Sequence, residues 1–454
     1  MLMAASVMAQ NISGNWHGTL KAGQAEIGFV FAIETTESGL SGSMAIPARN
    51  LNNMKAGKTT FQNGVLLIDG SNNGWQYRGT FNSETESFEG HFKEGINEIP
   101  LSLKKGEIEV VVRKKKIQEP ELPLAYKAEE VRFKNKGANI QLAGTLTLPH
   151  NITQPPVVIL ISGSGPQNRD EEVFGHRPFL VLSDYLTKKG IAVLRFDDRG
   201  VNESEGNHAE ATTADFATDV EAAIDFLKTR KDIDHSQIGL IGHSEGGIIA
   251  PLVAQQRPDD VAFIISLAGT GVSGYETTRL QALHQAKNYV PDIDVYDAFI
   301  IGALDIASSM GNMESIRKEL SDYYLASPFF NGSIPAGANK EAILKSLVEQ
   351  RTSVWMRYFY TYKPAEVYGK LDCPVLILLG EKDTQVFAKP NKIALDSALQ
   401  YGKSKDYQVL ELEGMNHFFQ QAETGEMSEY QHIEETISLR VLEMLVDWID
   451  TRTK

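Results

Sequence analysis

Short apolar runs broken by Gly, Asn and Ser dominate residues 11–113. Glu26–Ile33, Val65–Asp69, Trp75–Phe81 and Ile108–Val112 have the length and residue types of strands, and Gly39, Gly64, Gly70, Gly74 and Gly90 fall between runs at turn-like intervals. Many short strands with Gly-rich turns predict a small all-β sandwich or barrel. No constellation of His, Asp or Glu stands out in it. The domain reads as non-catalytic: a packing or dimerisation module through which a homo-oligomer could form, with ligand binding left open. Residues 114–125 follow as a linker, because Pro120 and Pro123 lack a ladder donor and stiffen the chain. The triplet Lys114-Lys115-Lys116 reads as a solvated loop.

From Tyr126 the period changes. Glu130–Lys134 and Gln141–Leu148 predict an antiparallel pair. Then apolar strands (Val157–Ser162, Ala192–Phe196, Ile238–Ile241, Phe263–Leu267) alternate with helices (Arg177–Lys189, Thr213–Thr229, Glu245–Gln255). Continuous apolar strands between helices predict a parallel sheet covered on both faces. The alternation resumes at Pro374–Leu379 and Tyr407–Leu412 and closes with the helix Ser438–Trp448. Residues 126–271 and 369–454 are thus two parts of one α/β core. Residues 272–368 form a helical insertion with stretches such as Tyr296–Ala307 and Lys340–Tyr358, expected to lie as a lid over the sheet's C-terminal edge. Its bulky side chains, among them Met310, Tyr323, Tyr324, Phe330, Trp355, Met356, Phe359 and Tyr360, are expected mostly in its own core, with a minority lining a pocket.

Hydrophobic residues at 42% and charged residues at 23% are ordinary for a globular chain. The formal charge of −15 leaves no basic excess for phosphates, which argues against nucleic acid as a partner and gives no support for anionic membranes. Cys373 is alone, so neither an intramolecular disulfide nor a zinc site of several thiolates can form. No apolar run is long enough to span a bilayer. Met1–Gln10 is apolar and ends in small residues, like the second half of a secretory leader without its basic start; export to a periplasm or medium is the expectation, an apolar tail on a cytoplasmic protein the alternative.

The chemistry centres on Gly242-His243-Ser244-Glu245-Gly246, the one G-x-S-x-G of the chain. An apolar strand precedes it and a helix follows, the setting of a nucleophile elbow. Ser244 then sits in a strained turn above the sheet, and the N–H of Glu245 points at a developing oxyanion from a helix N-terminus.

With Gly163-Ser164-Gly165-Pro166, Asp197-Asp198-Arg199-Gly200, Leu379-Gly380-Glu381-Lys382-Asp383 and Gly414-Met415-Asn416-His417, the chain from about Tyr126 onward resembles the α/β-hydrolase superfamily. It looks most like bacterial esterases and serine-aminopeptidase-like members with an extra N-terminal β domain. Residues 1–113 lie outside the resemblance. In this fold the order is Ser, acid, His. Asp383 and His417 follow late strands and fall on the same sheet edge as Ser244, where ligands bind in open α/β sheets. Glu381 is the alternative acid, and the resemblance favours Asp383. His284 and His432 follow no late strand. The resemblance implies that Ser164 gives the second oxyanion N–H, with Gly165 the alternative, and that the Asp197–Gly200 turn is structural.

Asn168-Arg169-Asp170-Glu171-Glu172 is polar enough to face the pocket mouth, where Asp170 or Glu171 could hold a substrate amine; a solvated loop is the competing reading. The expected function is a serine hydrolase that cleaves esters of small or medium acyl groups through Ser244, His417 and Asp383. A serine aminopeptidase or short-peptide peptidase is the alternative, and a thioesterase the second. A binding protein with a dead hydrolase domain is disfavoured by the intact Ser, Asp and His. No cofactor or metal is implied, and a histidine base predicts activity falling in acid.

Overall fold

The computed structural model describes residues 12–22, 25–36, 39–46, 51–71, 74–94, 97–106, 115–334 and 339–453. The expected leader at 1–10 and the strand expected at 108–112 lie outside the described residues. The chain divides into two compact units, Met1–Arg113 and Lys114–Lys454.

The first unit is a sheet of nine strands: β1 (Gly14–Ala22), β2 (Ala25–Thr36), β3 (Gly39–Ile46), β4 (Leu51–Lys55), β5 (Lys58–Gln62), β6 (Val65–Gly70), β7 (Trp75–Asn82), β8 (Ser87–Glu94) and β9 (Asn97–Lys105). The order is β2-β1-β9-β8-β7-β6-β5-β3-β4, and an added β2–β3 pairing closes it into a barrel. Of the two expected forms, the barrel is the one adopted. Alternation does the work: β6 and β7 bury every second side chain, and Trp16, Phe31, Tyr77, Phe88 and Phe92 meet in the interior. Asn63 (φ 52°) and Gly64 (φ 77°) turn β5 into β6, a two-residue hairpin that needs left-handed backbone at both positions.

The second unit holds an eight-stranded sheet of order β10-β11-β13-β12-β14-β15-β16-β17. β10 (Lys127–Asn135) and β11 (Ile140–Leu148) form the antiparallel pair. β12 (Val157–Ile161), β13 (Ala192–Phe196), β14 (Ile238–His243), β15 (Phe263–Leu267), β16 (Val375–Gly380) and β17 (Tyr407–Leu412) are parallel. Helices α1 (Pro178–Lys188), α2 (Thr213–Leu227) and α3 (Gly246–Gln256) connect the early strands. Seven more follow β15: α4 (Gly274–Ala286), α5 (Ile293–Ser308), α6 (Met313–Ala326), α7 (Pro328–Ser333), α8 (Lys340–Arg351), α9 (Val354–Thr361) and α10 (Pro364–Tyr368). α11 (Ala388–Gln400), α12 (Met427–Tyr430) and α13 (Leu439–Thr453) complete the chain. α2, α3 and α11 cover one face of the sheet, and α1 and α13 the other. This is the α/β-hydrolase architecture.

The insertion has its own core, including Leu304, Leu320, Tyr324, Phe330 and Tyr360. Met310 is exposed instead. The stretch Lys340–Tyr358 is two helices rather than one. Ser353 accepts the N–H of Met356 and so starts α9, while the Thr352 hydroxyl turns back to the Val348 carbonyl at the end of α8. No helix among the described residues is long and apolar enough to cross a membrane.

Candidate active site

β14 is buried along its whole length and delivers Ser244 at the sheet's C-terminal edge with φ 52°. A left-handed serine is strained, and its neighbours leave no other path. A Cβ on Gly242 would meet the Gly246 carbonyl at 1.9 Å, and one on Gly246 would meet the Ile161 carbonyl at 2.1 Å. The turn is fixed by the Ser244 N–H donating to Leu267 O (2.8 Å) and the Gly247 N–H to Ser244 O (2.9 Å).

Asp383 and His417 are brought together from the ends of β16 and β17. His417 Nδ1 lies 2.7 Å from Asp383 Oδ2, and the backbone N–H groups of Gln385 and Val386 each donate to Asp383 Oδ1 at 2.8 Å. Both side chains are buried. The alternative acid, Glu381, accepts the Gly414 N–H at 2.8 Å and thus shapes the histidine loop from behind. Among the described residues Ser244 Oγ makes no hydrogen bond to His417; such contacts commonly tighten only around substrate.

Ser164 and Ser244 line one cavity of about 370 Å³. The Gly163 N–H is engaged with Glu171 Oε1 at 2.7 Å, which leaves the donors one and two residues on for the oxyanion. Asp198 anchors this loop through the Ser162 hydroxyl (2.6 Å) and the Gln167 N–H (2.9 Å). Asp197 holds Arg169, and Arg199 holds Asp219, so the Asp197–Gly200 turn braces its neighbours.

Asp170 and Glu171 do not reach the cavity. Asp170 pairs with Arg195 and lies 3.9 Å from Arg177. Glu171, at φ 51°, turns its carboxylate into the interior toward His243. Much of the loop's polarity is spent on internal partners, Asp170 on Arg195 and Glu171 on His243.

His243 went unassigned in the sequence and proves central. Its Nδ1 is 2.9 Å from Glu171 Oε1, and its Nε2 is 3.0 Å from the carbonyl of His417. Burial alone would lower its pKa, but the Glu171 carboxylate outweighs that and raises it. Glu245 contributes more than its N–H. Its buried carboxylate accepts from Thr213 Oγ1 and from Trp355 Nε1, both at 2.7 Å. Burial raises its pKa. Trp355 lies on α9, so this bond ties the insertion to the elbow. No spacing rule signals either contact, because the partners are far apart in sequence.

The cavity wall is more polar than the aromatic insertion suggested. Thr277, Thr278, Gln281 and Gln385 line it beside Trp355, Met356 and Phe359. Among the described residues no group of three or more His, Cys, Asp or Glu is placed to hold a metal ion.

Comparison with known proteins agrees with this architecture. A family model described as serine aminopeptidase, S33, matches residues 178–420. Esterase EstD of Thermotoga maritima is 23% identical over 322 residues, which span 70% of this chain and 68% of that protein. Human mitochondrial palmitoyl-protein thioesterase ABHD10 is 36% identical over 89 residues, 20% of this chain and 27% of that one. Among solved structures, Est1E from Butyrivibrio proteoclasticus with ferulic acid bound has a TM-score of 0.41 at 18% identity, covering 71% of this chain and 96% of that one. The family model spans more than half of the chain and all of the segment from α1 through the histidine loop. The chain therefore belongs to the serine aminopeptidase S33 family of α/β-hydrolases, and it is a serine hydrolase of the carboxylesterase kind.

Proposed function

We propose that this protein hydrolyses carboxylic esters through Ser244, His417 and Asp383. Ser244 Oγ attacks the ester carbonyl while His417 Nε2 takes its proton. The tetrahedral oxyanion is held by the N–H groups of Glu245 and Ser164. The carbon–oxygen bond to the alcohol breaks as His417 returns the proton to the leaving oxygen. Water, deprotonated by His417, then releases the acid and restores Ser244. Asp383 keeps Nδ1 protonated and stabilises the imidazolium. The observation that carries this reading is the 2.7 Å bond between His417 and Asp383, with the His417 carbonyl 3.0 Å from Nε2 of His243 in the elbow.

Ester is favoured over N-terminal peptide cleavage by one feature. An aminopeptidase needs an anion for the substrate amine, and Asp170 and Glu171 are occupied by Arg195 and His243. The insertion acts as the lid over the cavity, through α4 and α9. Turnover of p-nitrophenyl acyl esters against aminoacyl p-nitroanilides, with Ser244→Ala as blank, tests the proposal. Fast esters with inert anilides are expected. Substantial anilide cleavage would move the assignment to a peptidase.

A further inference from the structure

The Ser244 cavity does not stand alone. A second chamber of about 630 Å³ lies within the insertion, walled by Tyr296, Phe299, Phe329, Phe330 and Leu347. Gln285 and Arg351 line both spaces and mark their junction.

Arg351 lacks the carboxylate that three other enclosed arginines of this unit have. Arg169 pairs with Asp197, Arg195 with Asp170, and Arg199 with Asp219. Among the described residues Arg351 has no ion-pair partner, and its Nε is buried without a hydrogen-bond acceptor. Its electrostatic neighbours are the phenols of Tyr324 and Tyr360. Burial raises the pKa of both phenols, so they stay neutral and provide no counter-charge. Both phenols approach the guanidinium as neutral hydrogen-bonding partners. The guanidinium therefore has neutral hydroxyls beside it, no carboxylate, and an Nε that finds no acceptor.

An enclosed charge without a counter-ion is costly, and removing one partner of such a pair destabilises strongly. Arg351 is the last residue of α8. The helix C-terminus offsets part of its charge, but it leaves the Nε donor open. The other ionisable group on the Ser244 cavity, Glu245, is engaged by Thr213 and Trp355. The vacancy thus suits an anion, and a single guanidinium matches a single negative charge in the planar, two-oxygen geometry of a carboxylate.

We propose that Arg351 anchors a carboxylate carried on one arm of the ester hydrolysed at Ser244, with the aromatic chamber beyond it receiving an apolar group. This rests on the ester-hydrolase reading given above, and the test keeps the two separable.

The full-length protein is assayed with p-nitrophenyl hemiesters of straight-chain dicarboxylic acids. Each is paired with the p-nitrophenyl ester of the monocarboxylic acid of equal carbon number, through a series of lengths. At the fitting length the hemiester is expected to exceed its neutral partner in kcat/KM by roughly tenfold or more, the range of a hydrogen bond to a charged group. Arg351→Met should remove that preference, raising KM for the hemiester at least about fivefold more than for its neutral partner. Arg351→Gln makes the same comparison if the methionine variant does not fold. Neutral esters turned over with no hemiester preference at any length would overturn the proposal.

A binding arm needs no catalysis: calorimetric titration of wild type and Arg351→Met with phenylbutyrate and with phenylbutyramide. Tighter binding of the carboxylate by wild type alone supports the subsite. Equal binding of acid and amide overturns it. If no ester of either kind is turned over, the hydrolase reading fails, and the binding arm still decides whether the carboxylate site exists.

Discussion

His243 and Glu171 form a buried pair, Nδ1 to Oε1 at 2.9 Å, that touches the Gly163 loop, the Ser244 elbow and the His417 loop. Glu171 Oε1 also accepts the Gly163 N–H, next to Ser164. His243 precedes the nucleophile in the chain. Its Nε2 faces the backbone carbonyl of His417. Both ring nitrogens face acceptors, which suits an imidazolium.

Removing the charge of Glu171 should therefore loosen the site without dismantling it. Glu171→Gln leaves a neutral His243 with one proton for two acceptors. A fall in kcat of roughly tenfold is expected, with KM little changed. A kcat equal to wild type would show that the pair is only structural packing.

The pair also sets a pH dependence. The folded pKa of His243 lies above the ordinary value of 6.5. Its contribution to stability is complete below 6.5 and is lost as pH rises through the raised folded value. Melting temperature against pH should show an alkaline decline in wild type that is reduced in Glu171→Gln. Parallel profiles for the two proteins would contradict this.

Glu245 gives the opposite test. Its folded pKa lies above the ordinary 4.5, because burial disfavours the charge. Stability from this group is highest below 4.5 and falls as pH rises through the folded value. Glu245→Gln keeps an acceptor for Thr213 and Trp355 and removes the charge. Its melting temperature should exceed wild type at mildly alkaline pH, with the gap closing toward 4.5.

Trp355→Phe removes the bond from α9 to Glu245 and leaves a buried carboxylate with one partner fewer. The expected loss is about 1–3 kcal/mol, smaller in a Glu245→Gln background. Chemical denaturation of the two single variants and the double variant measures it. Equal losses in both backgrounds would mean that the charge of Glu245 adds nothing to the 2.7 Å contact.

The two acids near His417 separate cleanly. Asp383→Asn should lower kcat by roughly ten-thousandfold, since the ring loses the partner that fixes its tautomer. Glu381→Gln retains an acceptor for the Gly414 N–H and should stay within about threefold of wild type. Ser244→Ala and His417→Ala should retain the fold and lose nearly all turnover. An Asp383→Asn variant as active as Glu381→Gln would remove Asp383 from the role of the acid.

Periodicity made most of this fold readable. The alternating β6 and β7 and the largely apolar β12 to β16 announce their burial in their own residues. The elbow was legible because crowding at Gly242 and Gly246 tolerates nothing larger. The acidic loop was not. Whether Asp170 and Glu171 face water, a ligand or a partner depends on Arg195 and His243, which reach them through the tertiary fold. Arg351 was equally silent, because a missing counter-ion has no sequence pattern. The break between α8 and α9 was hidden because Thr352 and Ser353 are tolerated inside helices and end one only through their side-chain bonds.

The parallel pairing of β15 with β16 joins Ile264 to Val375 across the whole insertion, and β17 joins only after that. Such distant pairings form slowly, and a chain emerging from the ribosome makes them last. The elbow is laid down early, while the acid and the base arrive with the final two strands. On the proposed roles, a nascent or C-terminally truncated chain carries Ser244 with no His417 to deprotonate it, and hydrolysis begins only when synthesis has passed β17.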